Sequence, residues 1–199
     1  MTNSSLFSNE TGLLILDMQQ DLVQVARAEG DSDPGVEDII AAIGSLRECF
    51  EEHRRPVIYT RVCYRASYID APASSPARAR NSLQESELGS MIIPELAPRP
   101  DNFMVIKRRF GAFYGTDLEI LMRGLGLSEL IVTGTSTPRA VESTVREAHS
   151  RDIKCVVVSD ATYAPSRGEQ AHCLEIIGKY GFAKIASKED VLADFARSV

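Results

Sequence analysis

Apolar residues along this chain alternate between two patterns. Short continuous runs read as buried parallel strands, and stretches with apolar positions every three or four residues read as amphipathic helices. The runs fall at 12–16 (GLLIL), 56–60 (PVIYT), 103–106, 130–132, 153–158 and 182–185. Helical spacing predicts 36–53, with Ile39, Ile40, Ile43, Leu46, Cys49 and Phe50 on one face. It also predicts 114–124 around Leu118, Leu121 and Met122, then 168–180 and a closing helix at 188–196. After the fourth run, Val141, Val145 and Ala148 recur at helical spacing, with Thr137 as the expected N-cap and Pro138 as first helical residue. Residues 31–34 read as a loop. The pattern weakens over about 62–100, where an irregular lid or subunit-contact segment is expected, rich in Ser, Ala, Pro and Arg at 71–80. No linker, repeat or low-complexity tract interrupts the alternation. The fold class expected is α/β: a single doubly wound domain over 1–199, with a mostly parallel sheet of about six strands and helices on both faces.

In open α/β sheets, ligands bind at the carboxyl ends of strands. Asp17 ends the first run and Lys107 ends the third. The fourth leads through Gly134, Thr135, Ser136 and Thr137 into a helix N-terminus, where free N–H groups favour an anion or a nucleophile. Taken singly, Asp17 reads more readily as a turn residue or cap, and Lys107 as a solvated residue or salt-bridge partner. Gln19 and Asp21 read as structural. Together, an acid and an ammonium beside a helix N-terminus can activate a thiol. Yet the residue in the first helical turn is Ala140, which cannot attack anything. Arg61, Tyr64 and Arg65 follow the second run directly, placed either at the same pocket mouth or in a solvated loop.

Composition narrows the function classes. The 199 residues are 44% hydrophobic, enough for one sizeable core, and the net charge of -6 with scattered Lys and Arg argues against nucleic acid. No apolar run could span a bilayer, and the first residues lack the pattern of a signal peptide. Cys49, Cys63, Cys155 and Cys173 show no metal-type spacing, so reduced thiols and a cytoplasmic location are expected. His53, His149 and His172 are read as structural, with no metal and no cofactor expected.

Four segments, in this order and spacing, carry a family resemblance: LLILDMQQDLV, VIKRRFGAFYGTDLEILMRGLGL, GTSTPRAVEST and VVVSDATYA. Over about 12–188 the chain resembles the isochorismatase-like cysteine hydrolase superfamily. That group includes nicotinamidases, N-carbamoylsarcosine amidases, ureidoacrylate and biuret hydrolases, and isochorismatases. The resemblance implies a Rossmann-like fold with Asp17 as general base and Lys107 as its paired lysine. It implies a cis peptide at Thr135–Ser136, and an oxyanion hole from the N–H groups of Ser136 and residue 140. In the amidohydrolases a cysteine at the position of Ala140 attacks an amide or ureido carbonyl and leaves a thioester for water.

The chain departs from that pattern at the decisive residue. None of its cysteines sits in the motif, and only Cys63, after the second strand, is placed to approach the pocket. Gly111 stands where relatives often carry Ser, and the metal-binding histidines of nicotinamidases have no counterpart. Three readings of Ala140 stay open. It is an engineered Cys→Ala change in an amide or ureide hydrolase, the branch that TSTPRA and KRRFGAFYGTDL resemble most. It belongs to a thiol-independent isochorismatase-type vinyl ether hydrolase, whose members RDIK at 151–154 also resembles. Or the chain is a non-catalytic small-molecule-binding homologue. The substrate is expected to be small, with Arg61, Tyr64, Arg65, Arg109, Phe110 and Phe113 as pocket neighbours offering an Arg fork and an aromatic wall. A homodimer or homotetramer is expected, with no nucleic-acid or membrane partner.

Overall fold

The computed structural model describes residues 5–29 and 32–197. The start of the expected 31–34 loop and the first four residues of the chain lie outside them. Among the described residues six strands form one sheet: β1 (Thr11–Leu16), β2 (Val57–Val62), β3 (Phe103–Lys107), β4 (Glu129–Thr135), β5 (Lys154–Tyr163) and β6 (Lys184–Ala186). Their order is β3-β2-β1-β4-β5-β6, and every pairing is parallel. The chain therefore builds outward from β1 to β3, then returns to lay β4 on the other side of β1. The connections diverge between β1 and β4, which opens a crevice at their carboxyl ends.

Both central strands are buried along their whole length, which explains the apolar runs at 13–16 and 130–132 within them. Alternate residues still serve opposite layers. Leu13 and Ile15 pack with Ile39, Ile43 and Phe50 of α2 (Val36–Glu52) and with Phe195 of α7 (Lys188–Arg197). Leu14 and Leu16 pack with Leu118 and Met122 of α4 (Leu118–Gly124), Val145 and Ala148 of α5 (Glu142–His149), and Ile177 of α6 (Arg167–Lys179).

Several elements differ from the sequence reading, each for a local reason. A first helix, α1 (Gln20–Glu29), has no counterpart in it; only Val23 and Ala26 of that helix are buried, so its apolar stripe is thin. β4 and β5 run on through polar residues, with a register shift after Val132 that brings Thr162 and Tyr163 opposite Gly134 and Thr135. α4 starts at Leu118 instead of residue 114, because Gly115 takes a φ of 67° and the Thr116 hydroxyl binds the carbonyl of Ala112. Thr137 is not a helix cap. Residues Thr137–Val141 form a wide turn in which the Ser136 carbonyl accepts from the N–H groups of Arg139 and Val141. The Thr137 hydroxyl donates instead to Gln170 of α6 at 2.6 Å, and the Gln170 amide donates to the carbonyls of Ser159 and Thr162.

The 62–100 segment carries one short helix, α3 (Pro76–Arg80), and two single 3-10 turns. It is pinned at its base. The fully buried Gln19 donates to the carbonyls of Val62 and Ser90 and accepts from the Val62 N–H.

Candidate active site

Asp17 leaves β1 with a φ of 52°, a left-handed conformation that Asp tolerates better than most residues. Its Oδ1 accepts from the Thr60 hydroxyl at 2.6 Å, and its Oδ2 lies 2.6 Å from Nζ of Lys107. Both side chains of this ion pair are almost wholly buried. Lys107 also donates to the carbonyls of Arg109 at 3.1 Å and Phe110 at 2.9 Å. An ammonium has three N–H donors. All three are engaged, so Lys107 orients Asp17 and has no donor to offer a substrate.

Gly134 brings β4 against this acid. Its φ is 107°, and a Cβ there would stand 2.1 Å from the Leu16 carbonyl oxygen and 2.7 Å from the Leu16 nitrogen. Only glycine fits. The next peptide, Thr135–Ser136, is cis. The Ser136 N–H meets no acceptor among the described residues. Ala140 follows, 3% exposed.

These residues share a cavity of about 150 Å³, lined by Asp17, Thr135, Ser136 and Ala140, with Leu22, Val62 and Leu83 as apolar wall. Tyr64 and Phe110 join the lining as the sequence predicts. Burial pushes the Tyr64 hydroxyl above its usual range, a push eased by Ser75 and Arg109. A larger hollow of about 960 Å³, lined by His149, Lys154, Phe182 and Ile185, touches the amino ends of β4 and β5, away from the strand ends where Asp17 stands.

The remaining predicted neighbours lie elsewhere. Arg61 donates to the carbonyl and hydroxyl of Ser90 and does not line the cavity. Strand parity is the cause. β2 continues past Thr60, so Thr60, Val62 and Tyr64 face the site while Arg61 and Cys63 face away. Arg65 is exposed outside the cavity, and Arg109 reaches the Asp70 carbonyl. Phe113 is core, beneath the guanidinium of Arg151. Gly111 has a steric reason, since a Cβ would meet the Glu147 carboxylate at 2.2 Å while that group accepts from the N–H groups of Phe113 and Tyr114.

No cysteine lines the cavity. Burial raises the thiols of Cys49, Cys63 and Cys173 above their ordinary range and pushes Cys155 up to about 12. None is poised as a thiolate. The described residues hold no cluster of three or more His, Cys, Asp or Glu side chains suited to a metal, and none of their helices is long and apolar enough to cross a membrane.

The sequence reading did not single out Thr60, Arg80, Arg139, Tyr163 or Glu29. Arg139 adjoins Ala140 in the motif, and Tyr163 lies within the VVVSDATYA segment, so motif membership was the available signal. Tyr163 reaches the cavity only because β5 extends past its apolar run. Its hydroxyl donates to Glu29 at 2.8 Å and is raised by burial and by that carboxylate.

The isochorismatase domain model matches residues 11–190. The chain belongs to the isochorismatase family. It is 28% identical over 198 residues to the uncharacterized isochorismatase family protein YecD of Escherichia coli O157:H7, covering 94% of this chain and 97% of that one. It is 30% identical over 185 residues to enterobactin synthase component B of Escherichia coli K12, covering 90% of this chain but only 61% of that longer protein. Ureidoacrylate amidohydrolase RutB of Stutzerimonas stutzeri is 28% identical over 199 residues, with 88% and 79% covered. Among solved structures, an isochorismatase family protein of Burkholderia thailandensis superposes with a TM-score of 0.83 at 27% identity, covering 96% of this chain and 98% of that one.

Proposed function

We propose that this isochorismatase-family chain hydrolyses a small amide- or ureido-type substrate with water as the attacking group. One observation carries the reading: Asp17, held by the buried Lys107, lines one cavity with Ser136, whose N–H is open, and with an alanine where a nucleophile would stand. In this mechanism Asp17 takes a proton from water and the hydroxide forms a C–O bond to the carbonyl carbon. The oxyanion is held by the Ser136 N–H. Collapse of the intermediate breaks the C–N bond as Asp17 returns the proton to the leaving nitrogen. The similarity to a relative named an amidohydrolase supports this substrate class.

A second reading draws on the same alanine. Residue 140 replaces a cysteine, and the chain retains binding while having lost the attack that leads to a thioester. One experiment separates the two. Hydrolysis of a panel of small amides and ureides is measured for the chain itself, for Asp17→Asn and for Ala140→Cys. Turnover by the chain that disappears in Asp17→Asn supports direct water attack. An inert chain with an active Ala140→Cys variant supports the replaced nucleophile. Cleavage of isochorismate with no amide turnover assigns the thiol-independent vinyl ether reaction instead. If all of these are inert while a ligand raises the melting temperature, the chain is a binding homologue.

A further inference from the structure

Most arginines of this chain are spoken for. Arg27, Arg99, Arg108, Arg123, Arg146, Arg151, Arg167 and Arg197 pair with carboxylates. Arg47, Arg55, Arg61, Arg78 and Arg109 donate to backbone carbonyls. Among the described residues, only Arg54, Arg65, Arg80 and Arg139 have neither kind of partner. Two of these four line the cavity: Arg80, the last residue of α3, and Arg139, next to Ala140.

Of the other charges at the cavity, Asp17 is neutralised by Lys107, while Glu29 accepts from the neutral Tyr163 hydroxyl and keeps its charge. Against the single charge of Glu29, the two exposed guanidinium groups leave the cavity mouth with an excess of one positive charge, on a chain whose net charge is -6. Guanidinium groups bind carboxylates through paired, planar N–H donors.

We propose that Arg80 and Arg139 form a carboxylate-binding subsite, so that the substrate is a small monoanion. Its hydrolysable carbonyl faces Asp17 and Ser136, and its carboxylate rests on the two arginines. This assignment rests on reading the cavity as the hydrolytic site. It moves anion recognition from Arg61, Arg65 and Arg109, which the fold turns away, to two residues from distant segments of the chain.

Two probes of equal length test it: succinamate, with one amide and one carboxylate, and succinamide, with two amides. Binding of each to the full chain is measured by calorimetry at low salt. Succinamate is expected to bind about tenfold tighter, the worth of one charge-assisted contact. Arg80→Gln and Arg139→Gln each shrink that preference several-fold, and the double variant abolishes it, whereas Arg139→Lys retains part of it. Turnover of succinamate is read separately, so loss of the hydrolytic reading leaves the charge preference standing. Equal binding of the two probes, an unchanged preference in both Gln variants, or no binding of succinamate at millimolar concentration overturns the proposal.

Discussion

Gly134 and Leu16 touch backbone to backbone at the point where β1 and β4 part, leaving no room for a Cβ between them. That contact sets the separation between the strand bearing Asp17 and the turn bearing Ser136. A Gly134→Ala variant meets both a steric clash and a φ that disfavours alanine. It is expected to lose about 2–4 kcal/mol, read as a lower midpoint in urea denaturation. A midpoint within error of the parent would mean the strands part without cost, and Gly134 would not be the spacer described.

The Asp17–Lys107 pair makes a sharper test. Lys107→Met leaves a buried carboxylate without its cation and is expected to cost about 3–5 kcal/mol. The Asp17→Asn/Lys107→Met double variant should recover much of that loss, because the uncompensated charge is gone. A double variant no more stable than Lys107→Met alone would show that Lys107 acts through packing.

Cys63 is the cysteine nearest to the site in sequence, yet it faces away and burial raises its thiol. On the proposed hydrolysis, Cys63→Ala should therefore leave turnover within about twofold of the parent, after correction for the roughly 1 kcal/mol that truncating a buried side chain costs. Loss of turnover with an intact melting temperature would make Cys63 a nucleophile after all.

Stability should depend on acid through Asp194. Burial alone would raise this carboxyl, but the Ser5 hydroxyl, Arg197 and the Leu6 N–H together hold it below the ordinary range. A carboxyl depressed in the folded state stabilises above its unfolded value of about 4, and that contribution fades as pH falls through the folded value. The gap in unfolding free energy between the parent and Asp194→Asn should be widest near neutral pH and close toward pH 2. A gap that stays constant across this range would assign Asp194 a role independent of its charge.

Much of this architecture was legible in the sequence because burial on both sheet faces leaves a distinctive trace. β1 and β4 carry unbroken apolar runs, and the acid and lysine stand directly at strand ends. What the sequence hid was side-chain direction. Arg61 and Tyr64 look equivalent as neighbours of the second strand, but β2 ends at Val62, and parity alone sends one to Ser90 and the other to the cavity. Thr137 was misread for a related reason. Its hydroxyl suits a helix cap by local rules, and only the distant Gln170 decides otherwise. Arg80 escaped notice because an Ala/Pro/Arg-rich stretch gives no periodic signal of which residue turns inward.

Gln170 has a consequence beyond its own helix. It never touches the cavity, yet it ties the turn before Ala140 to the far end of β5 through one side chain. Cys173 and Ile177 of α6 are buried as well, but it is Gln170 that holds the turn by hydrogen bonds. A library that randomises α6 in search of solubility or a new partner would disturb the turn that carries Ser136 and Ala140 from a place outside the cavity.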